Sequence, residues 1–329
     1  MDNLTHSLVG LFLARAGLRR ATARGTAILV VGANAPDFDA FCWFGGPATY
    51  IHWHRHITHS LIAIPAMALL TVAIVRFAGR RAVAWWPAFL IATVAVVSHL
   101  LLDLTNVYGV RLLLPFSGRW FHWDLTPIID LTIWAILLLG VAAPALGRLV
   151  GAEIGERRRE VGGGWAVTAL LLLLAYDYGR SVAHDRAVAE VEARQYGGLA
   201  PRRAGAFPEA NPLRWTGIAE LSDAYVLAPV DLLREFRPQD GIRYAKADRT
   251  AAMDAARATF SFGRLLEFAQ WPVWATEPMP GGRSTRVRLI DLRFGTPEAA
   301  GFAAAEATVD ERLQVTEEKF GGGMPKKLR

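Results

Sequence analysis

Four of the chain's eight histidines fall within ten residues, Ile51-His52-Trp53-His54-Arg55-His56-Ile57-Thr58-His59-Ser60. Imidazole is a good ligand for borderline divalent ions, and a long apolar run follows at once. The stretch is therefore a candidate metal site at a membrane boundary, weighed against an interfacial loop merely rich in His and Trp. His99 and Asp103 form a second candidate. They are four apart in apolar sequence, so on a helix they share one face and reach one ion. Ionisable groups inside apolar helices are costly, which favours function over a pair of polar caps. Asp37 and Asp39 follow Pro36, where a helix must stop, and their carboxylates suit hard or borderline cations. His6, on a short apolar helix, gains weight only from this company. Asp124 reads as a helix N-cap, whereas Asp130 lies inside an apolar register and joins the metal candidates with His6, Asp37, His54, His59, His99 and Asp103. Arg55 offers a planar fork of donors to an anion such as phosphate, and Arg55 and Asp39 are the candidate catalytic groups. His52, His56 and His122 are ligands or bystanders, and His184 reads as a surface residue.

These residues need a membrane scaffold. The 329 residues are 53% hydrophobic with a mean hydropathy of +0.24, too apolar for an ordinary soluble protein. Residues 4–18 and 26–33 are apolar segments short for full spans, with Asn3 or Thr5 as N-cap of the first. They suggest a tightly packed or re-entrant hairpin. Spans are expected over 57–78, 83–102 and 128–149, with a shorter aromatic-flanked segment over 165–178. A single cysteine, Cys42, excludes an internal disulfide. Met1-Asp2-Asn3 lacks the basic start of a signal peptide.

The formal charge of +6 rests mostly on arginine. No basic segment is interleaved with stacking aromatics, so the balance speaks for membrane topology and not for nucleic acid. Arg-rich turns at 15–24, 76–81 and 148–159 fall on alternate connections and share one side, the cytoplasmic side by the positive-inside rule. Every candidate ligand then lies at the opposite, non-cytoplasmic ends, and the fourth segment returns the chain to that side.

From about residue 181 the pattern changes. Residues 181–198 read as a polar linker helix ended by Gly197-Gly198, and residues 199–320 as a small α+β domain. That domain has strand-like patches over 213–230 broken at Ser222-Asp223, a helix from an Asp248 N-cap, strands over 271–275 and 286–292, and no catalytic constellation. Residues 321–329 read as a disordered tail. The fold class is thus an all-α polytopic helical bundle over 1–180 followed by a small soluble α+β domain.

Taken together, Asp2-Asn3-Leu4-Thr5-His6-Ser7, Pro36-Asp37-Phe38-Asp39, His54-Arg55-x-x-Thr58-His59-Ser60, His99-x-x-x-Asp103 and Asp130 resemble the YdjM family of membrane-bound, predicted metal-dependent hydrolases. The resemblance covers roughly residues 1–135. Asn211-Pro-Leu-Arg-Trp215 and Val230-Asp-Leu232 are similar to the C-terminal extension of some members. The succession of His, Asp, His and His-x-x-x-Asp is also similar to zinc-dependent phospholipase C and the S1/P1 nucleases, which hydrolyse phosphodiesters with a cluster of zinc ions. That similarity implies His6, Asp37, His59, His99 and Asp103 as ligands. The amino-terminal Trp ligand of those enzymes has no counterpart here, and their last His and carboxylate have no secure match.

The expectation is an integral protein of a bacterial-type inner membrane that uses a divalent metal, foremost Zn²⁺. It would hydrolyse a membrane lipid or lipid-linked phosphoester at the non-cytoplasmic face through a metal-activated water. A metal transporter or sensor would place its ligands near mid-membrane. A scaffold with a structural metal would show closed coordination.

Overall fold

The computed structural model describes residues 1–79, 83–153, 162–321 and 326–327. The Arg80 and Arg81 part of one Arg-rich turn, and the charged run from 154 to 160, lie outside the described residues. The N-terminal part is helical: α1 (Asn3–Arg15), α2 (Gly25–Gly32), α3 (Pro47–Trp53), α4 (Ile64–Phe77), α5 (Trp85–Thr105), α6 (Leu131–Glu153) and α7 (Gly162–Glu192). Among the described residues two helices are long and apolar enough to cross a membrane, α5 and α7. The chain from Pro47 to Phe77 passes the same test only as a pair bent by 59°.

Most of these elements follow from local chemistry. The N-cap of α1 is Asp2 and not the expected Asn3 or Thr5, and it accepts from the Thr5 backbone N–H at 3.0 Å. The 57–78 segment is not one helix. Short 3-10 turns occupy Ile57–His59 and Leu61–Ala63, and α4 starts only at Ile64, with Pro65 in its first turn where a missing N–H costs nothing. The third segment starts at Leu131 because Asp130 caps it: one Asp130 oxygen accepts from Thr132 N at 2.8 Å and Ile133 N at 3.1 Å. Residues 165–178 and the polar linker are a single helix. Gly179 alone does not break it, and at 1.5 Å per residue its 31 residues run to about 46 Å, well beyond a bilayer core of about 30 Å.

Helix α2 lies close against α5. A Cβ on Gly32 would sit 3.0 Å from Cβ of Ala95. Its core is Ile28, Leu29 and Ala33 against Val72, Ala88, Ala92 and Ala95. This small-residue contact sets the end of α2 beside the last two turns of α5, where His99 and Asp103 sit.

The overhanging end of α7 enters the C-terminal domain. Ala187 and Val191 pack on Trp215, Ala219 and Val230, and a Cβ on Gly217 would meet Val191 at 2.5 Å. Among the described residues the domain has two antiparallel sheets. The first is β1 (Arg203–Pro208), β2 (Arg214–Glu220), β3 (Ala224–Asp231) and β4 (Ile242–Ala245), in that order. The β2–β3 hairpin turns at the expected Ser222-Asp223 break. Helices α8 (Ala251–Arg257) and α9 (Phe260–Phe268) follow, and α8 is capped by Thr250 and not Asp248. The second sheet is β5 (Pro272–Pro278), β6 (Ser284–Asp291), β7 (Ala304–Asp310), β8 (Val315–Phe320) and β9 (Lys326–Lys327). The tail expected to be disordered therefore contributes one short strand, and its other residues beyond Gly321 lie outside the described residues.

The two parts share a core. Ile51 of α3 and Tyr108 and Trp120 of the α5–α6 connection are buried with Phe262 and Phe268 of α9 and Leu289 of β6. Full burial of each such aromatic contributes about 2–3 kcal/mol. Arg293 adds a fully buried ion pair with Asp291 at 2.7 Å and donates to the Val107 carbonyl at 2.7 Å.

Candidate metal centre

Three polypeptide ends meet below this interface: the turn after α2, the loop after α3, and the last turns of α5. Pro36 starts the 3-10 segment Pro36–Gly45, which carries Asp37 and Asp39. The loop after α3 turns through Arg55, whose φ of 58° is left-handed. Spacing four along α5 puts His99 and Asp103 on one buried face.

Asp37, His59, His99 and Asp103 converge there, all buried, with one ligand atom each within 4.8 Å of the others. The separations are specific. Nε2 of His59 is 3.1 Å from Nε2 of His99, 3.4 Å from Asp37 Oδ1 and 3.4 Å from Asp103 Oδ2. Nε2 of His99 is 3.6 Å from Asp37 Oδ1 and 3.3 Å from Asp103 Oδ2. Zinc–nitrogen and zinc–oxygen bonds of about 2.0–2.1 Å imply tetrahedral edges of about 3.3 Å. These five separations scatter around that value. Asp37 Oδ1 and Asp103 Oδ2 have no hydrogen-bond partner although buried, a costly arrangement for a site without a cation. The donor set fits a divalent ion.

Each donor is held from behind. Nδ1 of His99 faces the Ala33 carbonyl at 2.7 Å. Nδ1 of His59 lies 3.2 Å from Asp39 Oδ2 and 3.0 Å from the Thr58 hydroxyl. Both rings thus turn Nε2 to the centre, the arrangement that outer carboxylates and carbonyls impose on metal-binding histidines. The outer oxygen of Asp37 accepts from the Asn3 amide at 2.8 Å. The outer oxygen of Asp103 takes an ion pair from Arg55 at 2.8 Å and contacts the buried amino group of Met1.

Burial alone would raise the pKa values of Asp37 and Asp39. For Asp37 the two imidazoles beside it, His59 first and then His99, outweigh it. For Asp39 the bonds to His54 and His59 do so. Both carboxyls are held well below the ordinary range and are ionised at neutral pH.

The remaining candidates divide. His6 stacks on His99 with ring centroids 3.8 Å apart, its Nε2 3.4 Å from Asp103 Oδ1. It touches the centre from the far side of Asp103. Asp37, Asp39 and His54 form a second trio with ligand atoms within 4.8 Å. Within it His54 Nδ1 and Asp39 Oδ1 are 2.8 Å apart, a hydrogen bond shorter than a coordination edge. Asp39 thus positions two histidines. Asp130 is not brought to the cluster. Its oxygens cap α6 and accept from Tyr176 at 2.9 Å, so its place in the apolar register is explained by capping. His52 faces Arg264 at 3.1 Å and His122 pairs with Asp124 at 2.8 Å. The Met1 amino group carried no sequence signal, since only the fold brings α1 against α5.

A cavity of about 580 Å³ opens onto Asp37, His54 and Arg55. Three of the five Arg55 N–H donors are committed, to Asn106, Gly109 and Asp103. That leaves its Nε–H, which has no partner, and one further N–H.

The model of a family described as "YdjM inner membrane protein" matches residues 1–185, over half of the chain and all of the centre. The chain is also 30% identical over 150 residues to "Uncharacterized protein YfhP" of Bacillus subtilis (strain 168). That match takes in 43% of this chain and 46% of the relative, so the chain spans less than half of that protein's length. No solved structure matches.

Proposed function

The chain belongs to the YdjM inner membrane protein family, and on that footing we propose that it is a membrane-bound, metal-dependent hydrolase of lipid or lipid-linked phosphoesters. The observation that carries the reading is the four-donor group of Asp37, His59, His99 and Asp103, close enough to share one divalent ion and opening beside a cavity with His54 and Arg55. Asp37, His59, His99 and Asp103 would hold a divalent ion, which when bound would supply Lewis-acid polarisation and a water of near-neutral pKa. His54, held at Nδ1 by Asp39, has Nε2 left to accept or return a proton. The two uncommitted Arg55 N–H donors steady an anionic group. His6, against the second oxygen of Asp103, is the candidate ligand of a further ion sharing that carboxylate.

The site and the C-terminal domain lie at the same end of the helices, opposite Arg15, Arg24 and Arg76. The positive-inside rule supports reading theirs as the non-cytoplasmic face. Clustering at helix ends, and not at mid-membrane, supports an enzyme over a transporter. A structural metal site has one observation in its favour, because four protein donors can close a tetrahedron. The deciding experiment measures bound metal and lipid phosphodiester hydrolysis in detergent-purified wild type, His59→Ala and Asp103→Ala. Unchanged metal in both variants ends the site assignment. Metal loss with no hydrolysis in any lipid class moves the reading to the structural site.

A further inference from the structure

The C-terminal domain lies beyond the residues matched by the family, and among its described residues no metal-ligating group forms. Its position gives it a role. The cavity over the metal centre has a polar floor of Asp37, His54 and Arg55, but Phe302, Phe320 and Gly321 of the C-terminal domain face it from above. Phe302 lies in the turn before β7 and Phe320 ends β8. Gly321, at φ 54°, brings the chain back over Phe302, where a Cβ would sit 2.8 Å from the Phe302 carbonyl oxygen. Tyr108 joins roof to floor. Its ring lies parallel to Phe302 with centroids 6.1 Å apart, and the Arg55 guanidinium lies 4.8 Å from its centroid.

The apolar wall also continues outwards. Trp43 lines the cavity and is 60% exposed, and it is flanked by Phe41 and Phe44, 73% and 86% exposed. These belong to the 3-10 segment that carries Asp37 and Asp39, at the end of the membrane helices. Exposed aromatics so placed sit at the boundary of a bilayer. An aromatic path therefore runs from these exposed side chains to the cavity over the metal centre, roofed by the second domain.

We propose that the C-terminal domain completes an amphiphile-binding pocket, with Phe302 and Phe320 as the wall that takes the apolar tail of a lipid whose phosphate lies toward Arg55. The phosphate end rests on the hydrolase reading above; the tail wall does not. A water-soluble phosphoester would use the floor and leave the aromatic roof and lip unmatched.

The test places the full-length, metal-loaded protein in phosphatidylcholine nanodiscs with phosphatidic acid bearing a diazirine in its acyl chain. Peptides carrying residues 302 and 320 are expected to be labelled. Phe302→Ser, at a position 40% exposed and so tolerant of change, lowers that labelling roughly fivefold or more, and Phe302→Leu largely keeps it. Inorganic phosphate, read by its slowing of metal release to a chelator, binds wild type and Phe302→Ser alike. Labelling confined to a second, apolar cavity lined by Val9 and Leu13 of α1, Leu101 of α5 and Leu174 of α7, or unchanged in Phe302→Ser, overturns the proposal. So does a loss of phosphate binding in that variant, which would make Phe302 merely structural. Labelling at 302 and 320 without hydrolysis in any of the lipid classes tested above leaves the pocket standing and ends the hydrolase reading; hydrolysis without that labelling does the reverse.

Discussion

Nε2 of His59 and Nε2 of His99 face each other across 3.1 Å in a fully buried setting, on segments forty residues apart. Each ring has its Nδ1 anchored elsewhere, to Asp39 and Thr58 for one and to the Ala33 carbonyl for the other. Two nitrogens so presented cannot both carry protons at that distance. One proton or one cation must lie between them, and the two unpartnered carboxylate oxygens alongside favour the cation.

Removing any of the four donors should therefore empty the centre. His59→Ala, His99→Ala and Asp103→Ala are expected to purify without the divalent ion that wild type retains, as read by elemental analysis. A chelator should lower the thermal unfolding midpoint of wild type and leave these variants unmoved. The stabilisation lost on chelation is about 4 kcal/mol if the free ion had stood at a thousand times its dissociation constant.

Asp39 separates positioning from coordination. Its carboxylate touches His54 and His59 from outside the four-donor group. Losing such an outer partner costs about 10–100-fold in metal affinity or activity. Asp39→Ala should bind metal within that range of weakening, measured by competition with a chromophoric chelator, and excess metal should restore occupancy. Failure of excess metal to do so would make Asp39 a ligand.

The same residue yields a pH dependence with a definite sign. Its folded-state carboxyl is held below the ordinary range by His54 and His59 against the opposing effect of burial. It contributes stability that is fully present above the unfolded pKa of about 3.9 and is lost as pH falls through the lower folded value. In metal-free protein the gap in unfolding midpoint between wild type and Asp39→Asn should be constant from pH 7 to about 5 and shrink below about 4. A gap that grows on acidification would reverse the assignment.

How far the sequence shows all this depends on the range of the interactions. His99 and Asp103 are legible because helical spacing alone puts them on one face. Asp37 and His59 stand out as polar groups at the ends of apolar segments. Asp130 misleads for a local reason, since a helix-capping carboxylate and a ligand look alike until its backbone partners are known. The unbroken α7 is hidden by a change of polarity at a membrane surface, which alters the solvent and not the backbone. The Met1 amino group against Asp103, and Phe302 and Phe320 over the cavity, rest on contacts between residues 102 to more than 200 positions apart, and no local pattern encodes them.

Asp130 gives the control that separates capping from metal binding. Asp130→Ala removes the N-cap of α6 and the Tyr176 partner, and should cost about 1 kcal/mol of stability for the cap. Its metal content should equal that of wild type.

The joint between the domains should be the most sensitive to a single change. Arg293 pairs with Asp291, donates to the Phe268 carbonyl, and reaches across to the Val107 carbonyl four residues beyond Asp103, all in fully buried surroundings. Removing one partner of a buried pair leaves the other charge uncompensated and costs about 3–5 kcal/mol, whereas replacing both by apolar groups is often near neutral. Arg293→Met should lower the unfolding midpoint sharply and open the C-terminal domain to protease. Arg293→Met with Asp291→Leu should recover most of that loss. If the domain merely hung from α7, both variants would leave the centre's metal affinity untouched. Because Val107 continues the strand of chain that carries Asp103, Arg293→Met is expected to weaken metal binding as well, measured by the same chelator competition.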